Sequence, residues 1–133
     1  MGAAESKKVV LGFIEAMNKG DMEAIGAALA EDVSWWFPGS LPWSGTHKGR
    51  ETIFRDLFGP AMSLFEPGTL SWEVRNAIAE GDQVAVEWIV RGRSTSGRDY
   101  ENDYSVMFRV KEGEIQAIRE YVDTLHTKEV LFG

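Results

Sequence analysis

Residues 100–126, YENDYSVMFRVKEGEIQAIREYVDTLH, decide the fold prediction. In the first half, alternate positions carry the side chains that would share one strand face: Asn102, Tyr104, Val106, Phe108 and Val110. A period of two is typical of a strand with one buried face. The KEGE turn then leads into IQAIREYVDTLH, so the stretch predicts two long antiparallel strands, with His126 beyond the end of the second.

Two further strands are predicted directly upstream of this hairpin. Residues 70–79, LSWEVRNAIA, alternate between apolar and polar side chains, and residues 83–93, QVAVEWIVRGR, are largely apolar. The GD pair at 81–82 is a hairpin turn between them, and STSGR forms the loop that follows. The second half of the chain is therefore predicted to be an antiparallel sheet.

The first half of the chain has a helical pattern instead. Residues 7–19 repeat apolar side chains at helical spacing, and Asp21 is predicted to cap a second short helix that runs through Leu29. DVSWWF is a short strand, and LPWSGTHKG, residues 41–49, is predicted as a loop. RETIFRDLF is a third helix, which Gly59–Pro60 kinks or ends. This order indicates an α+β fold, with a curved antiparallel sheet wrapped around N-terminal helices.

Composition limits the function classes. The 133 residues suit a single domain over 1–133. Fourteen Lys and Arg against 21 Asp and Glu give a net charge of −7, which argues against nucleic-acid binding because phosphates require a basic surface. Cysteine is absent, so thiolate chemistry is excluded, and no apolar run is long enough to span a membrane. We expect a cytoplasmic protein.

Aromatic residues are numerous for so short a chain. The sequence has five tryptophans and seven phenylalanines, and four aromatics crowd into SWWFPGSLPWSG. Aromatic walls suit an apolar ligand pocket, and they equally suit a plain core or a dimer surface. Trp35 and Trp36 are adjacent on a strand and cannot both face the same side.

The layout and three segments resemble the nuclear transport factor 2-like superfamily, and its SnoaL-like, polyketide-cyclase-like branch most closely. The segments are FIEAMNKGDMEAIGAALAEDVSW, GTHKGRETI and YSVMFRVKEGEIQAIREYVD. The resemblance implies a cone-shaped roll of cystatin-like type, in which the sheet encloses an apolar pocket that binds a hydrophobic small molecule. It also implies a homodimer that forms through the outer face of the sheet.

Two catalytic patterns of this superfamily match the chain poorly. The tyrosine, aspartate base and aspartic acid of ketosteroid isomerases fall on Phe13, Phe37 and Asn102, so classical steroid isomerisation is not expected. Limonene-epoxide-hydrolase-like members would match Asp123, but the positions of their Arg and second Asp fall near Glu87 and Ile89. Glu87 is the one group there that could replace the missing acid.

The cyclase-like branch requires only a last-strand aspartate, and its resemblance assigns the general acid/base role to Asp123. Asp123 shares a strand face with Arg119 and Tyr121, so the alternative is a carboxylate that pairs with Arg119 or caps the strand end. The other candidate catalytic groups have structural alternatives too: Glu87 as an ion-pair partner of Arg119, and Asn102 as a hydrogen-bond bridge to backbone.

Seven further residues are candidates for substrate binding: Phe13, Trp35, Phe37, Trp43, His47, Tyr104 and Tyr121. His47 precedes the third helix, where similar proteins line the pocket mouth, although a loop histidine is also common at a surface. With two histidines far apart in sequence and no recognised spacing, no metal site is predicted.

Two functions follow from these residues. The first is a small cofactor-free enzyme of isomerase, cyclase or hydratase/hydrolase type, acting on a hydrophobic carbonyl-bearing or cyclic molecule. In it Asp123 shuttles a proton, so Asp123→Asn would stop turnover while the protein still folds. The alternative is a non-catalytic small-molecule binder or dimeric scaffold.

Overall fold

The computed structural model describes residues 2–133 and contains helices at both ends of the chain. The helical segments are α1 (Ala3–Lys19), α2 (Met22–Ala28), α3 (Arg50–Ile53), a π-helical turn (Phe54–Phe58), α4 (Gly59–Met62) and α5 (Thr124–Phe132). Gly20 ends α1 in the left-handed conformation (φ +66°), where glycine has no steric penalty. The predicted cap of α2 is confirmed, because the Asp21 carboxylate accepts a hydrogen bond from the Ala24 N–H at 3.1 Å.

The third helical segment passes through Gly59–Pro60 without stopping. Pro60 has no N–H to donate, and the chain adapts by widening the turn before it. In that turn the Gly59 N–H bonds to the carbonyl of Phe54, five residues back, which is the spacing of a π-helix. The helix then continues to Met62, three residues past Gly59.

Within residues 2–133, six strands form one sheet. They are β1 (Leu29–Phe37), β2 (Gly45–Lys48), β3 (Ser71–Glu80), β4 (Gln83–Arg93), β5 (Asp99–Lys111) and β6 (Glu114–Val122), in the spatial order β2-β1-β6-β5-β4-β3. The β1–β6 pair is parallel, whereas every other neighbouring pair is antiparallel. The predicted α+β fold is confirmed, and α1 packs against β3, β4, β5 and β6.

A bulge near the start of β6 sets which side chains face the helices. Arg109 pairs with Ala117 and Val110 with Ile115, so Gln116 is the extra residue on the β6 side. Ile115 and Ile118 are both fully buried as a result. Beyond Ile118 the strand alternates regularly, which turns Glu120 toward the interior.

Two local predictions were wrong. Residues 45–48, predicted within a loop, form the short edge strand β2 against β1. The last strand, predicted to include Asp123, ends at Val122, and α5 begins at Thr124. The physical reason is a helix cap: the Asp123 carboxylate accepts hydrogen bonds from the backbone N–H groups of Leu125 (3.1 Å) and His126 (3.2 Å).

The core lies between the inner face of the sheet and α1. Val10 and Phe13 of α1 are buried against Val86, Val106 and other inner-face residues. Within residues 2–133, no helix has the length and apolar character that a membrane-spanning helix requires.

Candidate active site

A cavity opens between the inner face of the sheet and the helices beyond the main core. Its volume is about 80 Å³. The sheet contributes one wall, formed by Trp35, Phe37, Trp72, Trp88, Val90, Tyr104 and Glu120. The helices and the segments that join them to strands contribute the other, formed by Met17, Trp43, Leu57, Phe58, Ala61, Met62, Phe65, Leu70, Thr127 and Leu131. The lining is therefore mostly apolar and rich in aromatic rings.

Among residues 2–133, Glu120 is the one carboxyl group in this lining. Only 7% of the residue is exposed, and the Trp35 indole N–H donates a hydrogen bond of 2.5 Å to Glu120 Oε1. None of the salt bridges within residues 2–133 involves Glu120, and no Lys, Arg or His of this part of the chain lines the cavity. The carboxyl group is thus held in place by an uncharged donor.

This environment shifts the acidity of Glu120. Burial disfavours the ionised form and raises the pKa of Glu120 from 4.5 to about 7, and the Trp35 hydrogen bond lowers it by a smaller amount. A carboxyl group with a pKa near neutrality is present in both protonation states at physiological pH. That is the property required of a general acid/base.

A chain of hydroxyl groups continues from the cavity wall toward α5. The Tyr104 hydroxyl lies 2.8 Å from that of Tyr100, which lies 2.9 Å from Thr127 Oγ1. Thr127 in turn donates to the Asp123 carbonyl at 3.2 Å. The three hydroxyl groups therefore form one continuous hydrogen-bonded chain. Burial is the largest cause that raises the pKa of Tyr104 well above its ordinary value of 10, so the phenol stays protonated.

One donor in the lining has no partner. The Trp88 residue is 2% exposed, and its indole Nε1–H is the single buried side-chain polar group without a hydrogen bond within residues 2–133. The ring packs edge-on against Phe108 and tilted against Tyr104, with centroid distances of 6.0 and 6.3 Å. An unpaired buried donor costs about 1–3 kcal/mol and is uncommon in native proteins.

Two contacts fix the rim of the cavity. Asn18, near the end of α1, pairs with the edge strand β3: its amide donates to the Trp72 carbonyl and accepts from the Trp72 N–H, both at 2.8 Å. On the neighbouring strand β4, Phe65 packs on Gly92, where an added Cβ would lie 2.9 Å from the ring. The rim is therefore tied to both β3 and β4.

Four of the predicted substrate-binding residues line the cavity: Trp35, Phe37, Trp43 and Tyr104. Trp36 faces the opposite side of β1 and packs on Tyr121, with ring centroids 5.3 Å apart. The expectation that Trp35 and Trp36 face opposite sides is therefore met. The role of the four lining residues in binding stays a prediction.

Asp123 does not line the cavity, which corrects the position predicted for the acid/base. It is exposed and caps α5, as described above, and its carboxylate bonds to backbone N–H groups. The reason is that β6 ends one residue earlier, so Asp123 belongs to the helix start and not to a strand face. The alternative from the sequence was that Asp123 caps the end of the strand. Asp123 is indeed a cap, but it caps the start of helix α5.

Glu87 and Tyr121 also lie outside the cavity, which corrects their predicted placement. Both are exposed on the outer face of the sheet, Tyr121 with 44% of its surface accessible. Glu87 accepts a long hydrogen bond of 3.4 Å from the Asn76 amide, and no salt bridge to Arg119 forms. Glu87 and Tyr121 directly neighbour the inward-facing Trp88 and Glu120, so their side chains point to the opposite face, away from the helices.

The other three predicted residues, Phe13, His47 and Asn102, do not line the cavity, but each contacts a residue that does. Phe13 is buried in the core, with its ring centroid 6.0 Å from that of Trp35. His47 lies on β2, where Nε2 contacts the Trp43 carbonyl at 2.6 Å and holds the preceding loop. The Asn102 amide donates to the Tyr100 hydroxyl (3.1 Å) and to the Asp123 carbonyl (3.1 Å). Asn102 is therefore the hydrogen-bond bridge that the sequence left open.

Two polar features of the cavity were not predicted from the sequence: the Glu120 carboxyl group and the Trp88 indole N–H as a hydrogen-bond donor. A signal for Glu120 was present, because it occupies the same strand face as Ile118 and Val122. The unpaired state of the Trp88 N–H had no sequence signal. Within residues 2–133, no group of three or more His, Asp or Glu side chains is arranged to hold a metal ion.

The fold and the cavity define a small α+β protein with a mostly apolar cavity. The family model of the SnoaL-like domain matches residues 10–118, and the chain belongs to this family of the nuclear transport factor 2-like superfamily. The family includes cyclases and isomerases. No curated protein matches the chain.

Solved structures give the same result. An NTF2-like protein from Burkholderia xenovorans LB400 is 31% identical, with 98% of each chain covered and a TM-score of 0.83. A protein of unknown function with a cystatin-like fold from Xanthomonas campestris is 26% identical, with 96% of each chain covered and a TM-score of 0.82. TerC, co-crystallised with polyporic acid, is 22% identical over 97% of this chain and 99% of its own, with a TM-score of 0.85, a likeness of fold.

Proposed function

We propose that this protein is a small enzyme that transfers a proton on a hydrophobic carbonyl-bearing or cyclic molecule, with Glu120 as the general acid/base. The observation that carries the proposal is a buried carboxyl group with no cationic partner, facing an otherwise apolar cavity. Isomerase and cyclase reactions both require such a transfer next to a carbonyl group. Glu120 replaces Asp123 in this role because Asp123 lies outside the cavity.

The geometry supports a simple reaction. Ionised Glu120 removes a proton from the carbon next to a carbonyl, the C–H electron pair forms a C=C bond, and the carbonyl π electrons move to oxygen. The protonated carboxyl group then returns a proton to the same carbon or to another one. Trp35 holds the carboxyl through Oε1 in both states, while the apolar walls exclude water and orient the rings of the substrate.

The proposal is tested by proton exchange and does not require the natural substrate. Bicyclic ketones such as 1-indanone and 1-tetralone are incubated with the protein in D₂O, and loss of the α-proton signal is followed by NMR. We expect exchange faster than in buffer alone, with a rate that rises with pH around 7 because the base must be ionised.

Two variants complete the test. Glu120→Gln keeps the size of the side chain and should lower the exchange rate to that of buffer, while Asp123→Asn should keep the rate of the parent. Exchange that is absent from all ketones, or unchanged by Glu120→Gln, would overturn the proposal.

A non-catalytic binder is the second candidate function, and the aromatic walls of the cavity favour it. It predicts that the same ketones bind without any exchange in D₂O. Binding in the parent and in Glu120→Gln with equal affinity and no exchange would select this candidate.

A further inference from the structure

We propose that the Trp88 indole N–H is the donor that recognises the ligand, and that the ligand presents an uncharged oxygen acceptor, such as a ketone or ester carbonyl, to it. The inference rests on the proposed function for the identity of the ligand class. It goes beyond it because it names a specificity residue and its partner atom.

The first argument is that the Trp88 indole N–H is a buried hydrogen-bond donor without a partner within residues 2–133. The Trp88 side chain is buried, and the residue lines the cavity. The ring is held from two sides by Phe108 and Tyr104, which leaves it little freedom to turn toward a protein acceptor. Nε1 itself has almost no accessible surface, so a ligand oxygen that supplies the missing hydrogen bond must displace the side chains packed over it.

The second argument is that other donors in the lining are already used. The Trp35 N–H bonds to Glu120. The Tyr104 hydroxyl is already hydrogen-bonded to that of Tyr100, at 2.8 Å. A carbonyl ligand would therefore take its hydrogen bond from Trp88.

The third argument is charge. No cationic side chain of residues 2–133 lines the cavity, and Glu120 is ionised in part of the molecules at neutral pH. A carboxylate or phosphate ligand would be repelled and left without a counter-ion, whereas a neutral carbonyl would not. The proton transfer keeps the charge constant, since Glu120 becomes neutral as the substrate oxygen becomes negative beside Trp88.

The spacing fits a two-ring ligand. Trp88 on β4 pairs with Tyr104 on β5, and Glu120 on β6 pairs with Val106, one inner-face position away along β5. Trp88 and Glu120 therefore lie two strands and one inner-face position apart, a backbone separation of about 12 Å. A bicyclic ketone can accept from Trp88 at its oxygen while its adjacent carbon lies nearer Glu120.

The experiment compares ligands that differ in the acceptor alone. The ¹⁵N-labelled protein, which has five indole N–H signals from its five tryptophans, is titrated with 1-indanone, with indane and with indane-1-carboxylate. We expect 1-indanone to shift the Trp88 indole N–H signal downfield, indane to bind more weakly without that shift, and the carboxylate to bind most weakly.

A variant and its control locate the donor. Trp88→Phe should lower the affinity for 1-indanone about tenfold, the worth of one buried hydrogen bond, and leave that for indane nearly unchanged. Trp36→Phe, the same change on the outer face, should alter neither affinity. If Trp88→Phe fails to fold, replacing Trp88 with 3-benzothienylalanine keeps the shape without the N–H, and its missing signal assigns the indole resonance in the parent.

The outcomes separate the two proposals. An unmoved Trp88 signal, equal affinities for 1-indanone and indane, tighter binding of the carboxylate, or no binding of 1-indanone would each overturn the Trp88 inference. If Glu120-dependent exchange persists in that case, the proposed function stands alone. If the Trp88 signal shifts as expected but no ketone exchanges, the proposed proton transfer fails and the recognition role of Trp88 remains.

Discussion

Ionisation of Glu120 is unfavourable, because the buried carboxylate loses its hydration and no cation of residues 2–133 lies close enough to compensate. The group is nearly inaccessible, and one indole N–H is the hydrogen-bond donor that holds it. Burial is the dominant cause of its raised pKa. A general acid/base requires a pKa raised in this way, because a carboxyl group with an ordinary pKa of 4.5 holds almost no protons at neutral pH.

The raised pKa predicts a pH-dependent stability. Between pH 4.5 and about 7 the folded protein retains a proton on Glu120 that the unfolded chain has released, so the free energy of unfolding falls as pH rises. Glu120→Gln removes this contribution, and its stability relative to the parent should rise by about 3 kcal/mol across that range. Urea unfolding of both proteins at several pH values measures the difference.

A matched control is Glu80→Gln, at an exposed position of β3. Its stability relative to the parent should not vary in this way. A flat difference between Glu120→Gln and the parent across the same pH range would mean that the carboxyl group is not buried as described.

At the scale of elements, a single bulge and a single helix cap determine the site. The extra residue at Gln116 sets the face to which Glu120 turns, and Asp123 ends β6 by starting α5. Both features are local, yet each decides which acidic residue reaches the cavity. The π-helical turn before Gly59 has a similar effect, since it lets α4 continue and place Ala61 and Met62 in the lining.

The capping role of Asp123 predicts that substitutions of this residue change stability and leave ketone exchange unchanged. Asp123→Ala should lower the free energy of unfolding by about 1 kcal/mol, whereas Asp123→Asn should cost little because asparagine also caps helices well. Thermal or urea unfolding measures both. Neither variant should change ketone exchange by the folded protein, and a loss of exchange in Asp123→Asn at unchanged stability would return the catalytic role to Asp123.

At the scale of the whole molecule, the outer face of the sheet divides into two regions. Near β1 and β6 the rings of Trp36 and Tyr121 pack together and remain partly exposed. Across β3, β4 and β5 the face carries ion pairs from Arg91 to Glu73 and Glu101, at 2.5 and 2.7 Å. The predicted homodimer would therefore use the aromatic region.

The dimer prediction is tested by mass in solution. We expect light scattering to give the mass of two chains for the parent and of one chain for Tyr121→Glu. Ile78→Glu introduces the same charge at another exposed position of the outer face, on the edge strand β3, and should leave the dimer intact. A monomeric parent would contradict the prediction.

Much of the fold follows from the sequence, because period-two alternation over β3 and β5, the apolar run of β4 and the GD turn are strong local signals. The site follows only in part. Trp35, Phe37, Trp43 and Tyr104 could be chosen as wall residues from aromatic content and face. Glu120 shares a strand face with Ile118 and Val122, but which face turns inward depends on a bulge formed by pairing with β5. The family resemblance assigned the acid/base role to Asp123 instead.

The titration of Glu120 tests the central claim most directly. The Trp35 indole N–H donates to its carboxylate, so the ¹H and ¹⁵N shifts of that indole should follow the protonation of Glu120. We predict an inflection at a pKa of about 7 that is absent from Glu120→Gln. An inflection near 4.5, or one that survives in Glu120→Gln, would contradict the assignment of Glu120 as the buried acid/base of this protein.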